Sequence, residues 1–246
     1  MELKWRKWPQ LEGVELGGKL VISELFYSLQ GEGPKAGIPS LFLRLGGCNL
    51  RCPRFPCDTY YSVLPCYRKK WREMGWQEIF REFRKLVPTG SPPPNLVVTG
   101  GEPLLQQELL GRGLPYYPGP ITIETNGTIL PEWGRFPIFR QLSFAISPKL
   151  SNSGEPKENR WKPEVLAQLG RISGSYFKVV LSPEDLPGIG RELEELKNLS
   201  PETPIYCMPM ARNRGELEER GPVIARFALE KGYRYSDRLQ LRLGLK

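Results

Sequence analysis

The chain contains no histidine. That single absence removes Ser-His-Asp and Cys-His nucleophilic catalysis, imidazole general bases and histidine-ligated zinc from the chemistry open to it. Also missing is any apolar run near the roughly 18 residues that would cross a bilayer. The opening MELKWRKWPQLEGVEL has charges with no apolar stretch behind them, so the expectation is a cytoplasmic protein starting at its true N-terminus, with no membrane partner. Cysteine is scarce: there are five, an odd number that poorly suits a disulfide framework. What is present is the composition of a folded chain of about one large domain, 39% hydrophobic and 25% charged over 246 residues, which excludes a fibrous or disordered protein.

Thirty-five Lys+Arg against 27 Asp+Glu leave a net charge of +8. The basic residues crowd at Arg68, Lys69, Lys70, Arg72, Arg81, Arg84 and Lys85, which admits an anionic partner. Glu73, Glu78 and Glu82 share that stretch and favour the plainer account, a solvated helix face, over nucleic-acid binding. Strand-length apolar segments recur at residues 20–26, 40–45, 95–99, 120–124, 142–147, 176–181 and 204–208, rich in Val, Ile and Phe. Helical periodicity fills several gaps: residues 76–86 with Ile79, Phe80, Phe83 and Leu86 on one face, then 103–110, 191–199 and 217–231. Alternation of this kind predicts a parallel α/β architecture. The link 126–141 is too short and too rich in Gly and Pro for a crossover helix, so an open, partial (β/α) barrel with fewer helices than strands is expected. One domain would span residues 1–246 and end in the basic tail YRYSDRLQLRLGLK.

Four cysteines, Cys48, Cys52, Cys57 and Cys66, fall close together, and Cys207 stands alone. The run CNLRCPRFPCDT, from Cys48 to Thr59, follows a strand, where side chains at strand ends converge. Three thiolates there could hold three irons of a four-iron four-sulfur cluster and leave the fourth open to a chelating ligand. The alternatives are a zinc site completed by Cys66 and three cysteines packed as small apolar residues. A second strand runs into TGGEP, where Gly100 and Gly101 let backbone approach a ligand and Glu102 can accept from an ammonium group. ETNG and SPK end the next two strands, so Thr99, Glu124, Asn126, Ser147 and Lys149 would face one mouth; each also reads as turn chemistry. Upstream, FYSLQGEG offers Gln30 and Glu32 to the donor and acceptor edge of a pterin or guanine-like ring, and Arg44 could clamp a carboxylate. A glycine-rich polar turn is the bland alternative.

FYSLQGEG, GCNLRC, CDT, TGGEP, ETNG and SPK, in that order over residues 26–149, resemble the 7-carboxy-7-deazaguanine synthase family of radical S-adenosylmethionine (SAM) enzymes; FKVV and YCMPM look like its later strands. The resemblance implies the radical SAM type of partial barrel. It implies that a cluster reduces S-adenosylmethionine, that the resulting 5′-deoxyadenosyl radical takes hydrogen from C6 of 6-carboxy-5,6,7,8-tetrahydropterin, and that ring contraction with loss of ammonia gives 7-carboxy-7-deazaguanine on the route to queuosine. Cys48, Cys52 and Cys57 would hold the cluster and Thr59 a magnesium ion. S-adenosylmethionine would meet Pro56, Asp58, Gly101, Glu102, Ser147, Pro148 and Lys149, and the pterin Leu29, Gln30, Gly31, Glu32, Arg44, Thr99 and Glu124. A flavodoxin or ferredoxin donor and a homodimer are implied as well. Two features depart from the family. Four residues, Pro53 to Pro56, separate the second and third cysteines where the superfamily has two, and LQLRLGLK has Gly244 where the family ending has a histidine, with Arg242 a candidate to replace it. A radical reaction on another small heterocycle, and a non-catalytic metal-binding module for RNA or protein, are the other functions considered.

Overall fold

The computed structural model describes Trp8, Val14 and residues 16–54 and 57–246; Phe55 and Pro56 of the cysteine loop lie outside the described residues. Nine strands, β1 (Leu20–Leu29), β2 (Pro39–Leu45), β3 (Arg72–Met74), β4 (Asn95–Gly100), β5 (Ile121–Thr125), β6 (Ser143–Ile146), β7 (Tyr176–Leu181), β8 (Ile205–Pro209) and β9 (Arg234–Tyr235), form one open sheet in the order β3-β1-β2-β4-β5-β6-β7-β8-β9. The α-helices are α1 (Tyr60–Val63), α2 (Trp76–Leu86), α3 (Gln107–Gly113), α4 (Lys157–Arg160), α5 (Pro163–Gly170), α6 (Leu186–Leu199), α7 (Arg214–Lys231) and α8 (Leu239–Leu243). Helices are thus outnumbered by strands among the described residues, and α1, α4 and α8 are single turns.

Expectation and structure part at the first strand. From β2 to β9 every neighbouring pair is parallel, but β1 runs antiparallel to both β2 and β3, so the sheet is mixed. The cause is the short link between β1 and β2, which has no room for the crossover that a parallel pair needs. It closes as a hairpin through Gln30 N–H to Ile38 O at 2.9 Å and Gly37 N–H to Gln30 O at 2.8 Å. That hairpin loop carries Gln30, Gly31 and Glu32.

Strands buried on both faces should read as unbroken apolar runs. β4 and β8 do: each is buried along nearly its whole length. The core is continued by α2, whose Trp76, Ile79, Phe80 and Phe83 are buried, each contributing about 1.5–3 kcal/mol by leaving water. Leu86, read from sequence as part of that face, is 36% exposed because the helix ends there. The link 126–141 contains no α-helix, only a 3-10 turn at Pro137–Gln141. No helix among the described residues is long and apolar enough to cross a membrane.

Candidate active site

The carboxyl ends of the parallel strands open on one cleft of about 260 Å³, where ligands collect in α/β sheets. One wall is the cysteine loop after β2: Cys48, Cys52 and Cys57 all line the cleft, and all three are free and half-buried. Burial pushes the Cys48 thiol up, and Cys52 up to about 11, with neighbouring thiolates adding to both shifts. Asn126 Nδ2 lies 3.9 Å from Cys48 Sγ and donates to Asn49 Oδ1 at 2.9 Å, so ETNG braces the loop. Cys66 is exposed and outside the cleft, which leaves a zinc site without its fourth thiol. A single zinc would also require the sulfurs roughly 4 Å apart, whereas no three His, Cys, Asp or Glu side chains among the described residues are grouped for one ion. Three separate soft donors on an open wall fit a cluster whose irons each take one thiolate.

The TGGEP turn is pressed against that wall. Gly101 N–H donates to Leu45 O at 3.2 Å and Glu102 N–H to Gly47 O at 2.8 Å. A Cβ on Gly101 would meet Gly47 O at 1.9 Å, and Gly100 has φ 133°, so glycine is required at both positions. Glu102 is placed differently from the sequence expectation. It is 1% exposed, does not line the cleft, and accepts from Asn126 N–H at 2.7 Å, Leu104 N–H at 3.0 Å and Thr125 Oγ1 at 2.9 Å. Burial raises its pKa against those donors. It ties the ends of β4 and β5 together below the rim. Ser147 and Lys149 line the cleft, with Lys149 Nζ donating to Ser147 Oγ at 3.0 Å. Pro148 between them does not line it, and Pro56 lies outside the described residues.

The facing wall holds the polar residues of the hairpin loop. Glu124 accepts from Thr99 Oγ1 at 2.8 Å and Gln30 Nε2 at 3.2 Å. Glu32 is less available than expected: Lys178 Nζ stands 2.5 Å away, Gln240 Nε2 donates at 2.8 Å and Arg238 Nε is at 3.3 Å. Burial alone would raise the Glu32 carboxyl, but Lys178 and Arg238 overcome it and hold the pKa near about 2. Arg238 also reaches Asp58 at 2.5 Å. Arg44 donates through Nε to Glu24 at 3.1 Å and lies 5.7 Å over the Phe26 ring, which stacks on Phe42 at 4.6 Å. Its two terminal nitrogens make no hydrogen bond among the described residues. Leu29, Gly31 and Thr59 also line the cleft, and Thr59 Oγ1 is 3.5 Å from Cys57 Sγ. Arg242 pairs with Asp237 and stays outside the cleft, so it does not take the site role expected of it.

Lys178, Arg238, Gln240 and Lys246 line the cleft too, and sequence reasoning missed them. Lys178 had a signal, a charge inside FKVV, an otherwise apolar strand. Gln240 and Lys246 lie in the tail run LQLRLGLK that the resemblance marked, but which of its residues reach the cleft is decided only by tertiary folding.

No family model matches the chain. It is 36% identical over 252 residues to the 7-carboxy-7-deazaguanine synthase of Halobacterium salinarum, covering 92% of this chain and 91% of that one. It is 32% identical over 238 residues to the enzyme of that name from Rhodopirellula baltica, at 91% and 86% coverage. The fold is similar to a crystal structure of QueE from Escherichia coli, with a TM-score of 0.65 and 20% identity over 90% of this chain and 94% of that one.

Proposed function

The chain belongs to the 7-carboxy-7-deazaguanine synthase family, and from that premise we propose that it converts 6-carboxy-5,6,7,8-tetrahydropterin to 7-carboxy-7-deazaguanine with loss of ammonia, as a radical S-adenosylmethionine lyase of queuosine and 7-deazapurine biosynthesis. The observation that carries the reading is the pairing within one cleft of a three-thiol wall with an amide, carboxylate and guanidinium wall. A metal-binding scaffold would have no use for the second wall.

Cys48, Cys52 and Cys57 would hold the cluster. When bound, the cluster supplies the electron that cleaves S-adenosylmethionine and so the radical that takes hydrogen from the substrate. The chain's own residues position the reactants. Arg44, fixed by Glu24 and Phe26, offers its free terminal nitrogens to the pterin carboxylate. Glu124, aligned by Gln30 and Thr99, accepts from the ring's N–H edge. Ser147, Lys149 and the bare backbone of Gly101 receive the amino-acid end of S-adenosylmethionine. Thr59 would offer its hydroxyl to a magnesium ion, which would neutralise the substrate carboxylate. Clustered free thiols suit a reducing compartment and support a cytoplasmic site of action. An acidic flavodoxin or ferredoxin serves as electron donor, and the homodimer implied by the resemblance is checked by sedimentation.

Anaerobic reconstitution tests the reading. Wild-type protein should turn brown, cleave S-adenosylmethionine when reduced, and form the deazaguanine acid from the tetrahydropterin, detected by mass. Cys57→Ala should lose all three. A colourless wild type holding one zinc per chain would sink the proposal.

A further inference from the structure

The cysteine loop from Arg51 to Arg54 is held by a second loop, the one that follows SPK. Glu155 Oε2 accepts two successive backbone N–H groups, those of Arg51 and Cys52, each at 2.9 Å. Arg54 N–H donates to Ser153 O at 3.0 Å. Between these contacts sits Cys52, with φ 48°, the one described non-glycine residue in the left-handed region. That conformation costs roughly 1–2 kcal/mol and needs something to hold it. Two adjacent N–H groups turned to one point make an anion-binding concavity, and here its occupant is a carboxylate of the chain itself.

Glu155 is in turn anchored. It is 9% exposed, takes Asn159 Nδ2 at 3.1 Å on its other oxygen, and accepts Arg160 Nε at 3.1 Å on its carbonyl. Arg160 also donates to Lys149 O at 3.0 Å and pairs with Glu192 at 2.7 Å. The strap 149–160 therefore joins Lys149 to the cysteine loop. A neutral carbonyl would serve for geometry alone, yet this position holds a carboxylate that forms no ion pair among the described residues. The Arg51 guanidinium attracts it without pairing with it, and donates to Cys48 O and Leu50 O.

Resting on the reading that these cysteines hold a cluster, we propose that Glu155 is a positioning residue for it, clamping the cysteine loop through the Arg51 and Cys52 backbone and setting a negative charge beside the Cys52 ligand. The charge opposes the electron that the cluster takes up on reduction, and so holds its potential low. A low potential is what a strong one-electron donor requires.

Two substitutions separate the clamp from the charge. Glu155→Gln keeps an oxygen able to accept both N–H groups and removes the charge; Glu155→Ala removes both. Iron content, apo-protein melting and the midpoint potential from a dye-mediated titration followed by electron paramagnetic resonance are read on anaerobically reconstituted wild type and variants. The E155A variant should bind the cluster about 10–100-fold more weakly. The E155Q variant should melt and load like wild type, with its potential shifted upward. An E155Q potential equal to wild type overturns the proposal whatever E155A does, because a merely structural contact would leave the potential unmoved. A wild type that takes up no cluster removes the functional reading itself, and this inference with it, so the two failures are told apart.

Discussion

Glu32 illustrates how much one side chain in this cleft is asked to do. Its carboxylate neutralises Lys178, itself 6% exposed, and ties Arg238 of the tail to the β1–β2 hairpin. Removing one member of a buried charge pair leaves the other unpaired, which typically costs about 3–5 kcal/mol. Glu32→Gln should lower unfolding stability at neutral pH in denaturant melts, but by less than that, because Glu124, at 3.8 Å, remains as a carboxylate partner for Lys178. The pH dependence has a definite sign. Because the folded-state pKa lies below the ordinary value of 4.5, near about 2, the stabilisation is complete above 4.5 and drains away as pH falls from there toward 2. The difference between wild type and Glu32→Gln should narrow over that window; a constant gap down to pH 2 would contradict the assigned pairing. At this scale QGEG made Gln30 and Glu32 visible in the sequence, but not that Glu32 would be occupied by Lys178, because the two are brought together only by the pairing order of the sheet.

Among the elements, the short tail helix α8 closes the cleft's edge, and Gly244 makes it possible. This residue caps α8 with φ 64°, and Leu245 N–H returns to Gln240 O at 3.0 Å. The reversal brings Lys246 Nζ to 2.8 Å from Glu24 and 5.2 Å over Phe26, at the mouth beside Arg44. A side chain in that backbone conformation is strained by roughly 1–2 kcal/mol. Gly244→Ala should loosen the turn and raise KM for the tetrahydropterin with little change in kcat; Gly244→His should do the same rather than improve activity. Steady-state kinetics at saturating S-adenosylmethionine decide, and an unchanged KM would deny the tail a part in substrate binding. Elements with strong periodicity were legible in advance: α2 occupies the residues expected of it. β3 and β9, two or three residues long, are too short to show a period. The helix read at 191–199 begins at Leu186 because burial of Ile189 outweighs the helix-breaking cost of Gly188 and Gly190. Likewise the antiparallel β1 follows from link length, which strand patterning does not encode.

Over the whole molecule, the excess of basic charge is unevenly compensated. On α2, Glu82 takes Lys85 at 2.8 Å, whereas the 3-10 helix Pro65–Lys70, which follows the third cysteine by a few residues, exposes Arg68, Lys69 and Lys70. Arg68 and Lys69 form no ion pair among the described residues, and Lys70 lies 5.4 Å over the Tyr67 ring. From Thr59 to Arg72 the sequence contains no acidic residue. The glutamates that share α2 do not extend to this segment, which follows the proposed cluster ligands in sequence. Complementary charge acts mainly on encounter rate. Replacing Arg68 and Lys69 with Glu should slow reduction by an acidic flavodoxin or ferredoxin about tenfold or more at low ionic strength. Turnover driven by dithionite should stay at the wild-type rate, since the small reductant needs no docking surface. Raising salt shortens the reach of the field to about 8 Å near 0.15 M, so the two proteins should converge as ionic strength increases. Stopped-flow reduction across a salt series makes the comparison, and equal rates at low salt would move the donor to another face of the sheet.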